Sequence, residues 1–171
     1  ETFGHLIGEN LDTPGFQFDL ESIIKGMRDA TEGKPSPMTQ EEYEEAITSI
    51  QEQAFSSLSD SNLSQADIFL ENNRSETNIV EVEPGKLQYR IIAEGGGDEV
   101  FEHSAPLIHY TGTFIDGTVF GSSIESGEPI TLPLTQTIPG FNKGIVGMKE
   151  GEKRTLYVHP ELGYGTTGHL P

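Results

Sequence analysis

The chain has 171 residues, with 28 Asp and Glu against 10 Lys and Arg, a net charge of −18 and 33% hydrophobic residues. That length holds one ordinary domain, or one compact domain plus a smaller module. The acidity excludes nucleic acid and anionic membranes as partners: counterion release needs a basic patch, and the densest basic cluster is Lys149, Lys153 and Arg154. Cysteine is absent, which removes disulfides, zinc–thiolate sites, iron–sulfur clusters and thiol nucleophiles.

Taken in chain order, Phe3, Leu6 and Ile7 alternate with Gly4 and Gly8, a four-residue glycine spacing that suits close helix approach. Leu20, Ile23, Ile24, Met27 and Ala30 then recur at helical period, with Asp19 placed to cap the start and Gly33 to end it. After Pro35 and Pro37, Thr39 and Glu42 form a capping box, and Met38 is placed to staple onto Tyr43. A second helix is therefore predicted from Gln40, with Tyr43, Ala46, Ile47, Ile50 and Ala54 as a narrow apolar stripe that wants a partner surface. The Ser, Asp and Asn density from Ser56 to Ser64 competes for backbone hydrogen bonds, so this helix either breaks there or continues through Ala66 and Phe69.

Beyond residue 78 the texture changes to short β-branched and aromatic runs separated by Gly and Pro. Leu87 to Ile92 reads as a half-buried strand ending at Gly95-Gly96-Gly97. Pro106 to Ile115 reads as one strand, Asp116-Gly117 as a two-residue hairpin turn, and Thr118 to Gly121 as the return. Ile130, Leu132 and Leu134 alternate as an edge strand marked by Pro133; Pro139 to Val146 is a short helix; Lys149 to Glu152 is a turn; Arg154 to Val158 is a last strand. The expected fold class is α+β, a twisted antiparallel sheet wrapping a short helix. A helical, acidic module (residues 1–75) precedes it, and the sheet domain covers residues 76–171.

Metal and hydrolase motifs are missing from this sequence. His5, His103, His109, His159 and His169 never pair at i, i+4, and no Ser sits in a G-x-S-x-G elbow. Asp60, Asn62, Ser64 and Glu71 fit positions 1, 3, 5 and 12 of a calcium loop, but Gln65 stands where that loop needs glycine. Neither a metal nor a cofactor is implied. What does stand out is apolar: Tyr110, Phe120, Ile138, Phe141 and Tyr164 sit at strand ends, at the short helix's start and in a Gly-rich loop. Each read singly is a core residue.

The short motifs around those five residues change that reading. His109-Tyr110-Thr111-Gly112, Asp116 to Phe120, Ile138-Pro139-Gly140-Phe141, Gly147-Met148, Gly163-Tyr164-Gly165 and Gly168-His169 resemble, in order and spacing, the blocks of the FKBP family. Ile24 to Ala30 resembles the amino-terminal module of the dimeric bacterial group called macrophage infectivity potentiators. The resemblance implies a peptidyl-prolyl cis/trans isomerase that acts on X-Pro bonds of protein clients and assists folding. Tyr110, Phe120, Ile138, Phe141 and Tyr164 would line its proline pocket, the Ile138 amide and Tyr164 hydroxyl would bind carbonyls, and Gly121, Ile130, Thr137 and His169 would add substrate contacts. It further implies macrolide inhibitors of the rapamycin class, a homodimer through the amino-terminal module, and a place in the bacterial cell envelope.

Two departures bear on activity. Gly121 follows Phe120 where the family usually has Asp. The family's closing central strand, which supplies a pocket Phe, has no counterpart before Pro171, so the chain is either a fragment or has an incomplete sheet. Two readings stay open beside the isomerase: a non-catalytic module that binds proline segments or clients, and a surface interaction protein acting through its acidic half.

Overall fold

The computed structural model describes His5 and residues 18–168. The Phe3 to Gly8 stretch and His169 lie outside those residues apart from His5. By its contacts the chain forms two compact units, Glu1–Ser61 and Asn62–Pro171.

In the first unit, helix α1 spans Leu20–Thr31 and starts where the sequence sets its cap: the Asp19 carboxylate accepts from Glu21 N–H at 3.1 Å and from Ser22 Oγ at 2.6 Å. These bonds, the one from Ser22 foremost, hold the Asp19 carboxyl below the usual carboxylate range. Gly33, at φ +73, ends the helix. Helix α2 spans Gln40–Arg74 and opens on the reciprocal capping box: Thr39 N–H donates to Glu42 Oε2 at 2.8 Å, and Glu42 N–H donates to Thr39 Oγ1 at 3.3 Å. Its serine-rich middle is unbroken helix, so the calcium-loop template at Asp60 to Glu71 lies on a helix rather than a loop.

The second unit begins within α2 and is built on a three-stranded antiparallel sheet in the order β1 (Val80–Glu83), β2 (Leu87–Ala93), β7 (Lys153–Val158). β2 carries the core. Leu87 and Gln88, neighbours that point to opposite faces, are both 0% exposed. On the Gln88 face lies the last part of α2, which buries Ala66 and Leu70 and sets Phe69 against Tyr157 with ring centroids 5.9 Å apart. On the Leu87 face lies the short helix α3 (Pro139–Ile145), which comes close enough that a Cβ on Gly140 would strike Val158 and one on Gly144 would lie 2.8 Å from Leu156. The strand expected to be half-buried is thus fully buried at its start, with a helix on each side. Gln88 is tolerated there because its amide is satisfied: Nε2 donates to the Leu70 carbonyl at 2.9 Å and Oε1 accepts from Asn73 Nδ2 at 2.9 Å.

The remaining strands pair differently from the sequence expectation. Pro106 to Ile115 is not one strand but two, β3 (Leu107–Ile108) and β4 (Thr111–Thr113), which part company at Tyr110. β3 pairs with β6 (Ile130–Thr131), and β4 pairs with β5 (Val119–Ser122) across the expected Asp116-Gly117 turn. The strand expected through Leu134 is correspondingly short, since Leu134–Gln136 turns into a 3₁₀ helix after Pro133. Pro133 supplies no N–H to a ladder, which favours the exit.

Arg154, held in a buried ion pair, ties β7 to α3. Arg154 Nε donates to Glu152 Oε1 at 2.7 Å, both side chains being almost wholly buried. The guanidinium also donates to the Gly144 carbonyl at 2.8 Å and lies 3.9 Å from the centroid of the Tyr89 ring. Removing one member of such a pair strands the other charge. Glu152→Ala is therefore expected to lower unfolding free energy by roughly 3 kcal/mol or more. A urea titration checks this, and a midpoint within experimental scatter of the parent would contradict it.

Candidate active site

The β4–β5 hairpin sets the first half of the site. Its turn is closed by Gly117 N–H donating to the Phe114 carbonyl at 3.0 Å, with Gly117 at φ +88, and by Thr118 N–H donating to Asp116 Oδ1 at 2.8 Å. The Thr118 backbone N–H, and next its hydroxyl, hold the Asp116 carboxyl below the usual carboxylate range, so the turn stays charged and solvated. Between Gly112 and Thr113 the register slips by one residue, because Thr113 pairs with Val119 while Gly112 pairs with Gly121, leaving Phe120 as the extra residue of a β-bulge.

That bulge aims Phe120 back across the hairpin. A Cβ on Gly112 would lie 2.5 Å from the Phe120 ring, so this ring occupies the space a side chain at 112 would need. A Cβ on Gly121 would lie 3.3 Å from the Tyr110 hydroxyl. Gly112 and Gly121 are directly opposed and so project to one face. The Phe120 ring and the Tyr110 hydroxyl therefore share that face. Phe120 is 57% exposed and keeps its position through Gly112 beneath it and the Phe114 ring at 5.0 Å.

Ile138 is the N-cap residue of α3, with Pro139 at the first helical position. Its carbonyl accepts from Phe141 N–H and Asn142 N–H, each at 3.1 Å, and no hydrogen bond from its own N–H is found among the described residues. This amide is held firmly, because the buried Leu134 gathers the segment: its carbonyl accepts from Thr137 Oγ1 at 2.8 Å and Asn142 Nδ2 at 2.9 Å. Phe141 is half-buried on α3. Tyr164 precedes a 3₁₀ turn at Gly165–Thr167 and is 49% exposed.

Of the secondary positions, Gly121 lies on the same face as Tyr110, Ile130 pairs with Ile108 at the β3–β6 ladder, and Thr137 already spends its hydroxyl proton on Leu134. Sequence reasoning missed two residues that shape the face. Gly112 enters the sequence reading only as part of a motif, and Phe114 only as a position within the predicted Pro106 to Ile115 strand. The cue was present in the Phe114/Phe120 pair flanking a tight turn, since aromatic residues across a hairpin meet. A cavity of about 310 Å³ lies elsewhere, lined by Leu63, Asp67, Pro84, Gly85, Lys86, His159 and Glu161.

With this geometry in place, the comparisons with known proteins are specific. Residues 97–171 match the FKBP-type peptidyl-prolyl cis-trans isomerase family, and residues 1–91 match the domain amino terminal to FKBP-type peptidyl-prolyl isomerase. The chain is 48% identical to a protein of Chlamydia trachomatis named peptidyl-prolyl cis-trans isomerase Mip, over 99% of this chain and 70% of that protein. It is 32% identical to the outer membrane protein MIP of Legionella longbeachae, over 96% of this chain and 73% of that one. Among solved structures it is similar to FkpA from Escherichia coli, at a TM-score of 0.79 and 25% identity, covering 99% of this chain and 83% of that chain. The chain belongs to the FKBP-type peptidyl-prolyl cis-trans isomerases, with the amino-terminal domain of that family joined to an FKBP domain.

Proposed function

We propose that the chain accelerates cis/trans isomerisation of X-Pro bonds in protein clients, with Tyr110, Phe120, Ile138, Phe141 and Tyr164 as the residues that receive the proline. The observation that carries this reading is Phe120. A large ring that was merely core would be buried, whereas this one is 57% exposed yet fixed by a glycine below and a second ring beside it. Such an arrangement suits a surface that waits for an apolar guest.

The chemistry asks little of the protein. Rotating a prolyl amide costs about 18 to 20 kcal/mol because resonance must be broken. In the twisted state the nitrogen lone pair withdraws from the carbonyl, so the bond is less polar than in the planar ground state, and an apolar environment favours the twisted form. Phe120, Phe141 and Tyr164 would supply that environment around the pyrrolidine ring. The unspent Ile138 N–H, preset by Leu134, would hold one flanking carbonyl while the other side turns. Since uncatalysed isomerisation takes tens to hundreds of seconds, slow enough to limit folding, the biological task is the refolding of proline-containing clients.

The amino-terminal half fits a second copy of the chain. Helix α1 buries no residue, and Leu20, Ile24 and Met27 stand exposed on it; Tyr43, Ile50, Phe55 and Leu58 stand exposed on α2. An apolar stripe of that length without cover favours self-association, which would present two isomerase domains to one client at high effective concentration. A place in the cell envelope is supported by the name of the Legionella relative; no helix among the described residues is long and apolar enough to cross a membrane.

Phe141→Ala is expected to lower kcat/KM on a proline tetrapeptide roughly tenfold or more, about 1.4 kcal/mol of transition-state stabilisation. A protease-coupled assay with and without rapamycin reads it, and a parent chain no faster than the uncatalysed rate would remove catalysis altogether. Gly112→Ala should also lower kcat/KM, by swinging the Phe120 ring off the face, while the urea midpoint stays close to the parent's. Equal activity in that variant would disconnect Phe120 from the reaction. For the assembly, light scattering should give twice the chain mass, and Ile24→Glu with Ile50→Glu should return it to one; a parent already monomeric at high concentration would refute the pairing.

A further inference from the structure

None of the five proline-site residues lines the cavity of about 310 Å³, which is enclosed by three pieces of the second unit. Helix α2 contributes Leu63 and Asp67, one turn apart; the β1–β2 turn contributes Pro84 and Lys86; the chain beyond β7 contributes His159 and Glu161. The last two pieces are pinned together. His159 N–H donates to the Lys86 carbonyl at 2.8 Å, and Lys86 Nζ pairs with Glu161 Oε2 at 2.5 Å. Leu63 and Pro84 give the hollow an apolar side. With the imidazole neutral, the carboxylates of Asp67 and Glu161 outnumber the Lys86 ammonium and leave the lining one net negative charge.

His159 is the buried polar member of that lining, its side chain only 6% exposed. Its Nδ1 accepts from Glu161 N–H at 3.2 Å. A neutral imidazole that accepts at Nδ1 carries its proton on Nε2, so the ring turns a donor toward the cavity. That donor makes no hydrogen bond: Asp67 Oδ1 lies 3.3 Å away without forming one. A buried N–H ordinarily has an acceptor, because leaving it unpaired costs free energy. Asp67 itself is 72% exposed and accepts no hydrogen bond among the described residues.

We propose that this cavity binds an α-ammonium group together with its adjoining carbonyl, the chemistry of a free polypeptide amino terminus, with Asp67 taking the ammonium and His159 Nε2–H the carbonyl oxygen. The assignment is independent of the isomerase reading. In the first residue of a polypeptide the ammonium nitrogen and the carbonyl oxygen are about 3 Å apart, joined through one Cα. Asp67 Oδ1 and His159 Nε2 are 3.3 Å apart and of the opposite sense, an acceptor beside a donor. The exposed carboxylate now screens the ring N–H, and it turns aside about its own torsions to follow the ammonium while the carbonyl meets the donor. The net negative lining favours a guest whose ammonium is not cancelled by a carboxylate of its own, which a peptide end satisfies and a free amino acid does not. Leu63 and Pro84 are placed to receive the first side chain.

Titration of the isotope-labelled full chain with alanylglycinamide, read by NMR, tests this. Saturable shifts are expected at the Gly85, Lys86 and Glu161 amides. N-acetylated alanylglycinamide keeps every carbonyl but has lost the ammonium, and should bind about tenfold or more weakly. Asp67→Asn removes the charge at an exposed position and should lower affinity about tenfold; His159→Phe removes the donor and should lower it about three- to tenfold. Urea midpoints report folding separately, and should His159→Phe fail to fold, Asp67→Asn and the acetylated probe decide. Free alanine distinguishes the two sources of the chemistry: affinity equal to that of the amide makes free amino acids the guests of this same site, and weaker binding assigns it to peptide ends. Absence of saturable shifts, equal affinity for the acetylated probe, or parent-like affinity in Asp67→Asn would overturn the proposal.

Discussion

Leu87 and Gln88 adjoin on β2, point to opposite faces, and are both wholly excluded from water. A strand buried on both faces must be covered twice, and this one is: by the end of α2 over Gln88 and by α3 over Leu87. Burying a leucine is worth about 1.5 to 3 kcal/mol. Gln88 is the more constraining of the two, because a primary amide without partners would cost a comparable amount. Its bonds to the Leu70 carbonyl and to Asn73 mean that the last turns of α2 cannot leave without stranding it. The helix that enters from the acidic half is therefore a structural part of the isomerase unit, and its serine-rich middle stays helical between two well-fixed ends.

The other face does the positioning. α3 lies close on β7 because Gly140 and Gly144 have no side chains, and its amino end brings Pro139 and the Ile138 amide to the surface. Arg154 fastens the carboxyl end, reaching the Gly144 carbonyl where a cation also meets the negative end of the helix. One short helix is thus fixed at both ends by residues of quite different character. What emerges at its amino end is an N–H without a partner among the described residues, next to a half-buried phenylalanine.

Local chemistry was readable in advance. Asp19, the Thr39/Glu42 box, Asp116-Gly117 and Pro139 act within a few residues of themselves, so their sequence spacing sufficed. Where long-range packing decides, the reading went astray. Pro106 to Ile115 alternates well enough for one strand, but Tyr110 divides it because its two ends pair with strands far apart in the chain. The strand from Leu87 to Ile92 reads as half-buried, since nothing near Gln88 announces that α2 will arrive from 18 residues upstream. The five aromatic and aliphatic candidate residues stand out through ordered motifs, whereas Phe114 and the vacancy at Gly112 become visible only with the bulge at Phe120.

Two glycines facing each other across a hairpin would ordinarily weaken it, since glycine loses more backbone entropy than other residues and offers nothing to pack. Here the absence of both side chains makes the face. Over Gly112 the space is filled from within by Phe120; over Gly121 it is left open in front of the Tyr110 hydroxyl. One glycine therefore fixes an apolar wall and the other keeps a polar donor available. A single two-stranded turn can present an aromatic ring and a tyrosine hydroxyl side by side only because its opposed positions carry no side chains.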